Sequence, residues 1–194
     1  MIIEQDREVR RILQKVAASR GVDLEAWETA LRVAVLSAGA KVLVGLLEGL
    51  GSGRRDREIL CECGTRMGSQ GLKDKEFLTI LGPVRYSRSL FQCPVCKATR
   101  YPGDEDLDIV GTSRSPGLRR MMARAGSQST FKEGRDDLKV YAGLEVSAKD
   151  VARVAEGVGQ EVEGWASRER EEVLRQEESG LSEQTIPVLY VCFD

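Results

Sequence analysis

Four of the five cysteines in this 194-residue chain fall in two pairs, Cys61-Glu62-Cys63 and Cys93-Pro94-Val95-Cys96, and there is no histidine. Paired thiols bind metals or form disulfides, so what matters is whether the pairs meet. Between them lie 29 residues, in which Phe77 and Leu81, then Val84, Tyr86 and Leu90, alternate around Gly82-Pro83. This pattern predicts two strands, Glu76 to Leu81 and Val84 to Phe91, joined by a tight turn. A hairpin returns the chain to where it left. Both pairs can then converge on one tetrahedral ion whose bonds replace a hydrophobic core. The all-sulfur set Cys61, Cys63, Cys93 and Cys96 therefore predicts a structural zinc site, and four protein ligands leave no open position for catalysis. The second pair has the usual knuckle spacing; the first is tighter than the common pattern. Disulfides or unconnected core thiols are the alternatives.

Charge supplies the second candidate chemistry. The net charge is only -2, but between Thr112 and Arg135 six basic residues (Arg114, Arg119, Arg120, Arg124, Lys132, Arg135) face one acidic residue, Glu133. From Glu161 to Glu178 seven acidic residues face three basic ones, so the two stretches make distinct surfaces. Leu118, Met121, Met122 and Ala125 share one helical face, which turns Arg119, Arg120 and Arg124 outward, spaced to neutralise successive phosphates. Ser127, Ser129 and Thr130 can add neutral hydrogen bonds to a nucleic-acid backbone. A solvated arginine face is the other reading.

These residues need elements to position them. Glu4 to Ser19 reads as a short amphipathic helix, and Asp23 caps a longer one running to Leu50, stopped by Gly51-Ser52-Gly53. Its apolar stripe is Leu24, Trp27, Leu31, Ala34, Val35, Ala38, Val42, Leu46 and Leu50. Such a face packs on the rest of the chain or on a second copy. Ser115 with Pro116 opens the basic helix, ending near Gly126; Thr130 with Glu133 is a capping box for a helix to Ala142. Gly143 stops that helix, and Ser147 with Asp150 opens a longer one carrying Val151, Val154, Ala155, Val158, Val162 and Trp165. The pair Phe131–Ala142 and Ala148–Arg168 has the size and turn chemistry of a helix-turn-helix. Ser147, Lys149, Asp150 and Arg153 then project from the start of the second helix; a plain helical hairpin is the alternative. After Pro187, the run Val188 to Phe193 suits a strand buried on both faces, ended by Asp194.

The architecture expected is mainly α with a small β zinc ribbon, helical-bundle and helix-turn-helix-like segments, and the first strand of an incomplete α/β domain. The parts are a helical hairpin (1–53), the ribbon (54–103), the helix-turn-helix-like region (104–180) and the opening of the α/β domain (181–194). The densest apolar stretch, Leu31 to Leu50, is interrupted by Arg32, Lys41 and Glu48, so no membrane span is expected. The charged start, without an apolar secretory core, points to the cytoplasm, where cysteines are reduced or metal-bound.

Taken in order, CECG, TILGPVRYSRSLFQCPVC, SPGLRRMMARAG, the Phe131 to Leu144 helix, VSAKDVARVAEGVG and VLYVCFD resemble the ISKra-type insertion-sequence transposases, of the DDE class. The resemblance covers nearly the whole chain after about residue 24; each motif is weak singly, and the ordered set is what is specific. It implies a zinc ribbon and helical segments that handle DNA, followed by an RNase H-like catalytic domain whose first strand ends in an aspartate. Asp194 stands at that position as the first catalytic carboxylate, with no second or third after it. DDE enzymes use two Mg or Mn ions held by several carboxylates, so those ions belong only to a complete catalytic domain and this polypeptide is expected to be inactive alone. The partner implied is double-stranded DNA at transposon ends, contacted through Arg114, Arg119, Arg120, Arg124, Lys132, Arg135, Lys149 and Arg153. A homo-oligomer or a downstream transposase portion could complete the assembly. The competing class is a non-enzymatic zinc-ribbon protein that binds protein partners through its amphipathic helices.

Overall fold

A computed structural model describes residues 23–50 and 58–178, together with Arg10, Arg11, Gln14 and Ala18. The helix expected over Glu4 to Ser19 falls almost wholly outside the described residues. The Gly51-Ser52-Gly53 stop and the strand ending at Asp194 fall entirely outside them. The fold is mixed: five helices and a four-stranded antiparallel sheet of order β1-β2-β3-β4 among the described residues.

Helix α1 (Leu24–Leu50) begins where Asp23 Oδ1 accepts from Ala26 N at 3.1 Å, the N-cap expected. Ala34 and Ala38 of the stripe read from the sequence are buried, but the residues laid on the sheet lie beside that stripe. Ala40, Leu43, Val44 and Leu47 pack against Phe77, Val84, Tyr86 and Leu81, while Leu24, Leu31, Val35, Val42, Leu46 and Leu50 are exposed. The helix is apolar on nearly every side, so periodicity alone could not choose the packed face. Among the described residues α1 is the one helix long and apolar enough to cross a bilayer. It also carries Arg32, Lys41 and Glu48, and Arg32 donates to the Tyr141 carbonyl.

Strands β1 (Glu58–Leu60), β2 (Arg66–Thr79), β3 (Gly82–Gln92) and β4 (Thr99–Arg100) form a meander. The hairpin is longer than predicted and its turn lies two residues earlier, at Ile80-Leu81. Thr79 closes that turn: its hydroxyl donates to the Gly82 carbonyl at 2.8 Å and accepts from Leu81 N at 3.1 Å. Gly82, at φ +120°, supplies the backbone freedom. Pro83 fits inside β3 because Leu78 opposite it spends its own N–H and C=O on Ser113 and Ser115. Near the other end of β2, a bulge at Ser69–Leu72 with Gly71 at φ +93° breaks the alternation, which hid this half of the strand.

After the short α2 (Pro102–Asp106) come α3 (Pro116–Gln128), α4 (Phe131–Ala142) and α5 (Ala148–Glu178). Their starts are set as the sequence implied. Ser115 Oγ accepts from Leu118 N, Thr130 and Glu133 form the reciprocal capping box, and Ser147 Oγ accepts from Asp150 N. Gly143 ends α4 in the left-handed conformation at φ +66°. Leu118, Met122, Leu138, Leu144 and Val151 form the core shared by these three helices. Glycine lets them approach: a Cβ on Gly126 would stand 2.8 Å from Ala155 Cβ, and one on Gly134 3.0 Å from the Ala125 carbonyl oxygen.

Candidate metal centre and nucleic-acid surface

Antiparallel pairing of β1 with β2 and of β3 with β4 brings two tight loops to one end of the sheet, and each loop carries one cysteine pair. Cys61 N donates to Thr65 O and Gly64 N to Cys61 O; across the sheet, Cys93 N donates to Ala98 O and Lys97 N to Cys93 O. Gly64 at φ +82° and Lys97 at φ 61° turn the loops so that the sulfurs face one another. All four Sγ atoms lie within 4.8 Å of one another, with Cys61–Cys96 at 3.5 Å and Cys63–Cys93 at 3.6 Å. A disulfide needs about 2.05 Å. A tetrahedral thiolate centre with metal–sulfur bonds of about 2.3 Å places neighbouring sulfurs about 3.8 Å apart, which these separations approach. Met67, Phe91 and Ile59 pack beneath Cys61 and Cys93, whereas Cys63 and Cys96 are exposed. The donor set and its geometry are those of a site that can hold one metal ion, and the CxC pair takes part fully.

The thiols of Cys61, Cys63 and Cys93 hold their protons unequally. The Thr65 hydroxyl and amide draw the Cys63 thiol down to about 6, and the amides of Cys96 and Val95 lower Cys93 against its burial. For Cys61 the Cys63 amide favours the thiolate, but burial and shared hydrogen bonds with the other sulfurs win and push it up to about 12. Four thiolates cannot crowd together uncompensated, so a cation that binds here must displace the last protons.

A buried ionic cluster beside this end of the sheet was not foreseen. Asp104 of α2, 4% exposed, accepts from Tyr86 Oη at 2.5 Å and from Lys75 Nζ at 2.8 Å, and Arg88 Nε lies 2.7 Å from it as an ion pair. Lys75 also donates to Ile109 O at 2.5 Å, and the Arg88 guanidinium stacks 4.1 Å over the Tyr101 ring. Burial, then the hydrogen bond to Asp104, raise the Tyr86 hydroxyl well above its ordinary value. The cluster joins β2, β3 and α2 and sets both of its cations, Lys75 and Arg88, against the Asp104 carboxylate, which marks it as structural. The alternation of β3, which puts Tyr86 and Arg88 on the face of Val84, was the single sequence signal for it.

The eight cations singled out on the helices divide into two groups. Arg114 pairs with Asp150 at 2.8 Å, Arg153 with the same carboxylate at 3.1 Å, Arg135 with Asp136 at 2.5 Å, and Arg119 with Asp108. Arg120, Arg124, Lys132 and Lys149 are exposed and make no side-chain hydrogen bond or ion pair among the described residues. Leu118 and Met122 are fully buried behind Arg120 and Arg124, as the helical face required. At the start of α5, Ser147 and Asp150 serve the cap and the Arg114 pair, which leaves Lys149 as the uncommitted charge there. Asp194 lies outside the described residues.

No family model and no curated protein matches the chain.

Proposed function

We propose that this is a zinc-stabilised DNA-binding protein of the ISKra-type transposase kind, acting in the cytoplasm on the double-stranded ends of a mobile element. Zinc is the ion that four thiolates and no histidine suit best, and a closed four-sulfur set makes it structural rather than catalytic. What carries the DNA reading is one observation. The three-helix unit α3–α4–α5 keeps Arg120, Arg124, Lys132 and Lys149 exposed and uncommitted, while its other named cations are spent on carboxylates. Phosphate contacts from such cations give salt-dependent affinity with little sequence preference, and the start of α5 is the element a helix-turn-helix presents to the major groove. Replacing Arg120, Arg124 and Lys132 together by Ala should weaken binding to every duplex by a similar factor in fluorescence anisotropy. Unchanged affinity in that variant would refute the assignment.

A second reading has its own support. Leu24, Leu31, Leu46 and Leu50 on α1 and Trp165 on α5 stand exposed, as they would on a module that binds other proteins. Sedimentation of the purified protein with and without duplex separates the two: DNA complexes dissolve with added salt, whereas apolar association strengthens.

A further inference from the structure

We propose that the cysteine centre is also an oxidative modification site, at which a peroxide attacks Cys63 and Cys96 first and Cys61 and Cys93 then close disulfides across the ribbon. The inference rests on the metal reading only for the release of an ion; the disulfide pattern stands on geometry alone. Each loop holds one buried and one exposed thiol: Cys61 is 6% exposed and Cys93 fully buried, whereas Cys63 and Cys96 face solvent. The two closest sulfur contacts cross between loops and pair an exposed thiol with a buried one, Cys96 with Cys61 at 3.5 Å and Cys63 with Cys93 at 3.6 Å. Each exposed sulfur, open to a small oxidant, therefore has a protected sulfur beside it to resolve the product.

The chemistry balances with hydrogen peroxide as the oxidant. The exposed thiolate attacks a peroxide oxygen, the S–O bond forms, the O–O bond breaks and hydroxide leaves, giving a sulfenic acid. The buried partner then attacks the sulfenic sulfur, the S–S bond forms, and the oxygen departs as water with the partner's proton. Two such rounds consume two peroxides, convert four thiols into two disulfides and strip a bound ion of all its ligands. Closing each pair to about 2.05 Å requires a movement of about 1.5 Å, within reach of tight loops once the ion is gone. The new bonds join the β1–β2 loop to the β3–β4 loop, so they tie the same two loops that the ion ties. Oxidation would then exchange one staple for another and leave the ribbon folded, and a thiol reductant would reverse it.

The test uses the full chain with Cys192→Ser, which removes the fifth thiol. The protein is treated with hydrogen peroxide, trapped with dimedone at early times, then alkylated and mapped by mass spectrometry, while a chromogenic chelator follows metal release. We expect early dimedone adducts on Cys63 and Cys96, final linkages Cys61–Cys96 and Cys63–Cys93, one ion released per chain, and recovery with dithiothreitol. Linkages Cys61–Cys63 or Cys93–Cys96, early adducts on Cys61 or Cys93, or sulfonic acids without disulfides would overturn the proposal. Protein that carries no metal yet forms the two cross-ribbon linkages keeps this proposal and refutes the metal reading. Protein that keeps its ion and forms no disulfide does the reverse.

Discussion

Changing Asp104 to Asn keeps the side chain's shape and removes its charge, which isolates the role of the buried cluster. Three groups converge on that carboxylate, Lys75, Tyr86 and Arg88, and the side chains of Lys75, Arg88 and Asp104 are 12%, 11% and 6% exposed. Removing one partner of a buried ion pair costs about 3–5 kcal/mol, because the other charge stays buried without compensation. Here two cations lose their counter-charge. Lys75 keeps the Ile109 carbonyl at 2.5 Å and the Asn amide oxygen still accepts one hydrogen bond, so the lower end, about 3 kcal/mol, applies. For a chain of this size each kcal/mol moves Tm by about 2–4 °C, so the variant should melt about 6–12 °C lower. The control is Glu58→Gln, which breaks the Glu58–Arg66 pair whose side chains are 53% and 80% exposed; it should change stability by less than about 0.5 kcal/mol. Both variants are melted by circular dichroism with zinc in excess, so that the metal's contribution is constant. An Asp104→Asn melt within about 2 °C of the Glu58→Gln melt would show that the cluster contributes no more than a surface pair, against this reasoning.

Helix packing gives a contrasting pair of glycine variants. Gly126→Ala should destabilise by about 1–3 kcal/mol in urea unfolding, since its Cβ would stand 2.8 Å from Ala155 Cβ. Gly157→Ala, with open space around the new methyl, should stabilise by about 0.5–1 kcal/mol. In acid, burial works against the Asp150 carboxylate, but the hydrogen bond and charge of Arg114, with Arg153 and Ser147, hold it below its ordinary value; the Thr130 hydroxyl and amide do the same for Glu133. Because the folded values are depressed, their contribution is present above about pH 4 and fades as pH falls through them. Urea midpoints of an Asp150→Asn protein should therefore fall less steeply below pH 4 than those of the parent. If the four cysteines hold a structural ion as proposed, chelation or Cys93→Ser should unfold the end of the sheet that carries them and sharply lower the melt; elemental analysis that finds no bound ion in folded protein would contradict this.

What the sequence made legible were local features with short-range causes. Ser115, Thr130 with Glu133, Gly143 and Ser147 marked helix ends because each cap is a hydrogen bond or backbone angle within a few residues. The four cysteines were readable because their spacing around a hairpin leaves them little choice of partner. The face of α1 was not, since an all-apolar helix is oriented by what it meets, here Phe77 and Val84. Nor was the Asp104 cluster, whose members come from three elements and whose pairing is purely tertiary. The basic stretch was visible as composition, but composition could not say that Asp150, Asp108 and Asp136 would claim half of its named cations.

The central claim, DNA binding through uncommitted cations on the three-helix unit, is tested most directly by a salt titration of the zinc-loaded protein against a short fluorescent duplex. Each neutralised phosphate contributes a slope of about -0.9 in log affinity against log salt, so the four uncommitted side chains allow a slope of up to about -3.6. The account predicts a straight line between -2 and that value, in about the same position for unrelated duplexes. Affinity that does not change with salt, or no binding at about 50 mM salt, would contradict it.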